Sequence, residues 1–258
     1  MRPTAILAGV SGALLLAGSL HAQTPAEAPK SGWTLTANAG LLSDYRFRGF
    51  TQTDYKPSWQ GGFDGTHASG FYVGSWNANV EPGLYRGATL EMDVYAGWKT
   101  TVAGLGVDFG ALSFRYPTRA GTGTVGEVHH EEVYLGLSTR FATLKYARQL
   151  GNYFGVGDDT ATGTRGGSYL DLGLAFELGG GWGLSGHFGH QAIPHATAFG
   201  FPANAVDDYK VGVTRDLQGW VLSVAWVGTG RKDFFPTGGS TPEAGGKDAL
   251  VVGLTRSF

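Results

Sequence analysis

An all-β fold, specifically a transmembrane antiparallel up-and-down β-barrel of about 12 strands, is what three features of the sequence predict. Apolar and polar residues alternate in successive segments of about ten residues, the period of a strand with two unlike faces. The connections between these segments alternate between short and long. Glycine is abundant at 44 of 258 residues and aromatics make up 13%; glycine destabilises helices and aromatics favour strands.

The N-terminus is set apart from this pattern. Residues 1–22 read as a secretory signal peptide, with Arg2, an apolar run from Ala5 to Gly18 and small residues before Ala22; the run is too short to span a bilayer as a helix. Residues 23–32, "QTPAEAPKSG", form a flexible leader, and residues 33–258 form one outer-membrane β-barrel domain. Cysteine is absent, so an exported chain must rely on ladders and packing in place of disulfides. The net charge of −2, without a basic stripe, argues against a nucleic-acid partner. Beyond the signal no apolar run exceeds four or five residues, which excludes a spanning helix but not a barrel.

Taken in order, the strands fall near 33–50, 56–66, 70–80, 87–99, 105–117, 129–139, 142–151, 168–178, 181–192, 207–217, 219–228 and 247–258. In the first, "SDYRFRGF" sets Asp44, Arg46 and Arg48 against Tyr45 and Phe47. The second carries Asp64. The third, "GFYVGSWNANV", is apolar on both faces and its orientation stays open. "LEMDVYAGWK" opposes Leu90, Met92, Val94, Ala96 and Trp98 to Glu91, Asp93, Tyr95, Gly97 and Lys99. In the fifth, which holds Asp108, apolar parity changes from Val107 and Phe109 to Leu112, Phe114 and Tyr116, predicting a β-bulge near Gly110. The sixth and seventh hold Glu132 and Lys145. "YLDLGLAFEL" opposes Leu170, Leu172, Leu174 and Phe176 to Asp171, Gly173, Ala175 and Glu177; "DYKVGVT" opposes Tyr209, Val211 and Val213 to Lys210. "WVLSVAW" and "ALVVGLTRSF" put Trp220, Leu222, Val224 and Trp226, and Leu250, Val252, Leu254 and Phe258, on their apolar faces. Short turns "HAS", "TTVAG", "RF", "GG" and "Q" interleave with longer stretches near 51–55, 81–86, 118–128, 152–167, 193–206 and 229–246. An up-and-down barrel with both termini at one end requires that sorting.

Which face meets lipid follows from magnitude. The polar face collects Asp44, Arg46, Arg48, Asp64, Glu91, Asp93, Lys99, Asp108, Glu132, Lys145, Asp171, Glu177 and Lys210. Each Arg or Lys facing lipid at the bilayer centre costs about 2–4 kcal/mol, and acids less, so thirteen such placements exceed the stability of an ordinary domain. These residues therefore line the lumen, and the apolar face forms the outer band, with Trp33, Tyr45, Trp98, Tyr169, Trp182, Tyr209, Trp220 and Phe258 as interfacial girdles. The competing arrangement, a soluble lipocalin-like barrel, would reverse the two faces. Small in-facing residues, among them Gly97, Gly173, Gly212, Ser223 and Ala225, leave room for a narrow aqueous pore.

The stretches "SDYRFRGFTQTD", "KPSWQGGFD", "HASGFYVGSWNANV" and "LEMDVYAGWK" resemble the TorF-like porins of bacteria, also called the Gcw_chp family. The resemblance runs from about Trp33 to Phe258 and is strongest in the first third. It implies an outer-membrane barrel acting as a porin, and carries over no catalytic or binding residue. The last strand is similar to the signal read by barrel-assembly machinery, ending in Phe258 with alternating apolar positions; Arg256 departs from that pattern.

The expected function is passive diffusion of small hydrophilic solutes or ions through the bacterial outer membrane, with no cofactor, no metal and no catalytic residue. Lipid and lipopolysaccharide, the assembly machinery and the solutes are the expected partners; a homo-oligomer is compatible with the same apolar band. Two alternatives stand beside it: a structural or adhesion barrel plugged by paired charges and acting through its loops, and an envelope hydrolase using His67 and Ser69. The latter lacks an identifiable group to orient the base. In "HHEE", His129 and Glu131 face one way and His130 and Glu132 the other, which disfavours a metal site. His187, His190 and His195 read as lining or loop residues. Asp158 and Asp159, in a glycine-rich loop, offer carboxylates for a divalent ion bridging lipopolysaccharide.

Overall fold

The computed structural model describes residues 32–117 and 128–258. The signal peptide, nearly all of the leader and most of the expected 118–128 loop lie outside the described residues. Twelve strands form one closed antiparallel barrel: β1 Trp33–Leu42, β4 Ser58–His67, β5 Phe71–Asn79, β6 Leu90–Val102, β7 Leu105–Tyr116, β8 Val128–Ser138, β9 Ala142–Gln149, β10 Ser168–Gly179, β11 Trp182–Ala192, β12 Ala205–Leu217, β13 Trp220–Thr229 and β14 Ala249–Ser257. Each pairs with its neighbour in sequence, and β1 closes on β14 from Asn38↔Ser257 to Leu42↔Gly253. Closure leaves no unpaired edge in the wall. The extra pair, β2 Arg46–Phe47 and β3 Phe50–Thr51, is a small hairpin in the first long connection.

Strand lengths of 8–13 residues suit a tilted passage through a bilayer core. Side chains alternate as the sequence predicts. Leu170, Leu172, Leu174 and Phe176 are exposed on the outside of β10, as are Val211 and Val213 on β12 and Leu222, Val224 and Trp226 on β13. Trp33, Trp98, Trp182, Trp220 and Phe258 ring the outside at the short-turn end; Trp59, Tyr146 and Trp226 lie towards the long-loop end. A continuous apolar outer wall of this extent is far larger than the exposed apolar patches of soluble proteins, and it rules out the lipocalin-like arrangement.

Three expectations need correction. The first strand ends at Leu42, not residue 50, and residues 43–55 fold into the barrel. Arg48 (φ +48°) and Gly49 (φ +84°) take left-handed backbone that reverses the chain between β2 and β3. Consequently Tyr45 and Phe47 do not reach lipid: Tyr45 is 0% exposed and Phe47 packs on the interior core. Tyr169 likewise belongs to the lumen. No bulge occurs near Gly110, where β6 and β7 pair without interruption. The parity changes there because Leu112, Phe114 and Tyr116 are lumenal and pack beneath the inward hairpin; the register shift lies instead between Glu177 and Gly179. On β5, Phe71 and Val73 face out, and Tyr72 and Trp76 face in.

Several lumenal tyrosines lie over a glycine on the adjacent strand. Tyr72 sits opposite Gly97, Tyr95 opposite Gly74 and Tyr134 opposite Gly110. A Cβ at Gly110 would lie 2.5 Å from the Tyr134 hydroxyl oxygen, so the glycine is what lets the ring lie flat along the wall.

Candidate functional site

The interior is divided by the hairpin. From its roots in β1 it reaches across to β8, β10 and β11 through one side chain. Arg48 Nη2 donates to both Glu132 carboxylate oxygens at 2.7 Å, Nη1 donates to Gln191, and the guanidinium stacks over Tyr169 at 4.1 Å and Phe47 at 4.7 Å. His130 Nε2 lies 3.0 Å from Glu132 on the other side. Burial alone would lower the Arg48 pKa, but Glu132 more than offsets it and the guanidinium is held above its ordinary value. Gly49 meets β12 and β13 so closely that a Cβ would lie 2.5 Å from Thr229 Cγ2 and 2.8 Å from Asp208 Cβ.

Arg46 secures the hairpin base. Its Nε pairs with Asp44, and its Nη1 donates to the carbonyls of Gly49 at 2.9 Å and Lys247 at 3.0 Å. Asp44 also accepts from the hydroxyls of Thr51 and Thr53. Tyr45 donates its hydroxyl to Glu91 Oε1 at 2.8 Å. Burial pushes the Tyr45 and Tyr85 hydroxyls well above their ordinary range, so both remain protonated donors. Phe47 packs edge-on to Phe114 and Phe154, and Tyr85 stacks on Tyr116 at 3.7 Å. Above it, towards the long loops, Phe50, Tyr153, Phe201, Phe234 and Phe235 form a second apolar cluster.

Below the hairpin lies a cavity of about 130 Å³ whose lining includes Arg48, Glu132, Lys145, Asp171, His187, Asp208 and Lys210. His187 sits between Asp171, 3.1 Å from Nδ1, and Asp208, 2.8 Å from Nε2. Tyr169 donates to Asp208 at 2.9 Å. On the opposite wall Tyr95 donates to Asp64 and Tyr72 to Asp108, both at 2.6 Å; Lys99 and Lys145 lie over the rings of Tyr72 and Tyr134.

The thirteen sequence-chosen charges therefore separate. Asp44, Arg46 and Arg48 sit on the hairpin, not on the wall. Glu132, Lys145, Asp171 and Lys210 border the cavity; Asp64, Lys99 and Asp108 join the tyrosine network; Glu91 and Asp93 are sealed behind the hairpin; Glu177 stands exposed beside the register shift of β10. Sequence reasoning placed His187 as lining or loop and Tyr95 on the polar face, but missed Asp208, Gln191 and the other lumenal tyrosines. The signal was available, because Tyr95, Tyr134 and Tyr169 share strand parity with Asp93, Glu132 and Asp171.

Elsewhere, His67 Nδ1 lies 2.7 Å from Ser69 Oγ in an exposed turn, and the Ser69 amide donates to the same nitrogen. This closes the turn; among the described residues no carboxylate pairs with His67. His190 pairs with Asp207 on the outer surface.

A twelve-stranded closed barrel, apolar outside, with charge and tyrosine inside, defines a transmembrane β-barrel protein. The chain belongs to the Gcw_chp family, described as "Bacterial protein of unknown function", whose sequence profile matches residues 26–258. No curated protein matches it. In fold it is similar to the KdgM porin in complex with disordered oligogalacturonate, at 10% identity and TM-score 0.51, covering 87% of this chain and 99% of that one. It is also similar to the NanC porin in a rhombohedral crystal form, at 7% identity and TM-score 0.53, covering 86% and 99%. Identities this low speak to fold alone.

Proposed function

We propose that the protein is a porin-like channel of the bacterial outer membrane for passive diffusion of small hydrophilic solutes or ions, in line with the TorF-like porin reading. The observation that carries it is the charged cavity, with Lys145, Asp171, His187, Asp208 and Lys210 on its lining, inside a barrel with an apolar outer wall. Charge in a lumen sets the transverse field through which ions pass. The long loops would face the exterior and the short turns the periplasm. Phe258, exposed at the end of the last strand, supports recognition by barrel-assembly machinery, and the apolar band supports contact with lipid and lipopolysaccharide.

One observation favours a second reading. The hairpin reaches from wall to wall, so a conducting state requires it to move. A barrel in which it never moves is a plugged structural protein acting through its loops. Purified protein in planar bilayers separates the two: stepwise conductance supports the channel, and its absence at every voltage applied supports the plug.

A further inference from the structure

Among the described residues, seven buried side-chain atoms lack a hydrogen-bond partner, and five are on β4 and β6 behind the hairpin: both amide atoms of Gln60, Glu91 Oε2, and Asp93 Oδ1 and Oδ2. Strand register places their residues in one patch. Gln60 lies opposite Ala78, and Ala78 opposite Glu91, so only a methyl group stands between the two long side chains. Asp93, two residues along β6, faces the same way. Gln60 is 4% exposed, and Glu91 and Asp93 are 0% exposed.

Lys99 and Lys145 lie over the rings of Tyr72 and Tyr134, Lys210 faces Asp171 and Asp208, and the remaining lumenal cations are paired elsewhere. Arg46 pairs with Asp44, Arg48 with Glu132, and His187 with Asp171 and Asp208. Tyr45 caps Glu91 through Oε1 alone and meets Trp76, the cross-strand neighbour of Asp93, edge-on at 5.5 Å. Two carboxylates enclosed in this way stay ionised together only beside an opposite charge, because desolvating each costs several kcal/mol.

We propose that Gln60, Glu91 and Asp93 form a binding site for one hard divalent cation of the calcium type, closed over by the hairpin. The oxygens offered are Asp93 Oδ1 and Oδ2, Glu91 Oε2 and Gln60 Oε1, and two carboxylates match the charge of the ion. An all-oxygen set with a bidentate carboxylate suits Ca²⁺, which takes about six to eight oxygens in flexible geometry and would complete its shell with water carried in; Mg²⁺ demands a strict octahedron, and zinc and copper favour nitrogen or sulfur. Because Tyr45 bridges the site to the hairpin, the ion ties the hairpin to the β4–β6 wall. The site stands on these contacts whether or not the barrel conducts.

Full-length protein in detergent, stripped by a chelator and then titrated with Ca²⁺, tests this. The expected result is one saturable Ca²⁺ site in the interior, a Ca²⁺-dependent rise in unfolding temperature, and Tb³⁺ luminescence sensitised by Trp76 and Tyr45. Glu91→Gln and Asp93→Asn each should weaken binding by at least about 10- to 100-fold and quench the sensitised emission, while Asp233→Asn in an exposed loop leaves both as they were. Absence of saturable Ca²⁺ binding to the wild type overturns the proposal, even where a variant does not fold. Wild-type affinity in both Glu91→Gln and Asp93→Asn overturns it equally.

Discussion

Replacing Arg48 by Gln should release the hairpin while leaving the barrel closed. The Arg48 and Glu132 side chains are only 9% and 5% exposed and share two hydrogen bonds of 2.7 Å. Removing one member of such a pair strands the other charge and costs about 3–5 kcal/mol. The strand ladders do not depend on this contact, so the cost falls on the local equilibrium between docked and undocked hairpin. At about 1.4 kcal/mol per tenfold, undocking becomes roughly two to three and a half orders of magnitude more populated. Amide hydrogen exchange over residues 43–55 reads that change directly, and planar-bilayer recordings should show longer or more frequent open events. Glu132→Gln should act similarly, since it orphans Arg48. The double variant should recover a large part of the loss, because no uncompensated charge remains. Unchanged exchange in Arg48→Gln, with additive effects in the double variant, would refute the reasoning and assign the docking to Phe47 and its aromatic neighbours.

Four further outcomes follow from the same contacts. Gly49→Ala should undock the hairpin by about 1–3 kcal/mol, through both its left-handed φ and the overlap with Thr229 and Asp208; exchange over 43–55 measures it. Gly110→Ala should destabilise the whole barrel by about 1–3 kcal/mol as Tyr134 is lifted from the wall, seen as a lower unfolding temperature. Leu172→Arg, on the outer face, should cost about 2–4 kcal/mol in lipid, whereas Ser185→Arg at the cavity should cost much less; equal losses would contradict the assignment of faces. Neutralising Lys145 and Lys210 together should move the reversal potential towards cation preference, and an unchanged potential would remove them from the conducting path.

The wall was legible in the sequence because a barrel strand has a single repeating instruction: apolar out, polar or small in. Twelve strands, their sorted turns and the faces of β6, β10, β12, β13 and β14 all follow from it. Where the rule misled, the lumen was not water. Residues 43–48 alternate as a wall strand does, yet a hairpin folded inside the barrel satisfies the same alternation, and nothing local shows that Tyr45 meets Glu91 rather than lipid. Similarly, Leu112, Phe114 and Tyr116 looked like a slipped register because an apolar lumenal surface was not expected. The charges were assigned to the interior, but their partners were out of reach. Arg48 and Glu132 are 84 residues apart, and only three-dimensional closure brings them together.

That interior surface also bears on where the proposed conducting path would run. A twelve-stranded barrel is wider than its own side chains fill, unlike one of eight strands. On the β5–β10 side the filling comes from Tyr72, Trp76, Tyr95, Phe114, Tyr116, Tyr134 and Tyr169, which meet the hairpin in one buried cluster. The β11–β14 wall presents Ser185, Gly212, Ser223 and Ala225 to the cavity instead. Large residues on one wall and small ones on the other make the lumen lopsided. Undocking Arg48 would thus open space against β11–β14, beside His187, Asp208 and Lys210, while Glu91 and Asp93 stay covered for as long as Tyr45 remains seated. Charge substitutions at His187 or Asp208 should accordingly alter selectivity in the open state, and those at Glu91 or Asp93 should alter how often that state is reached.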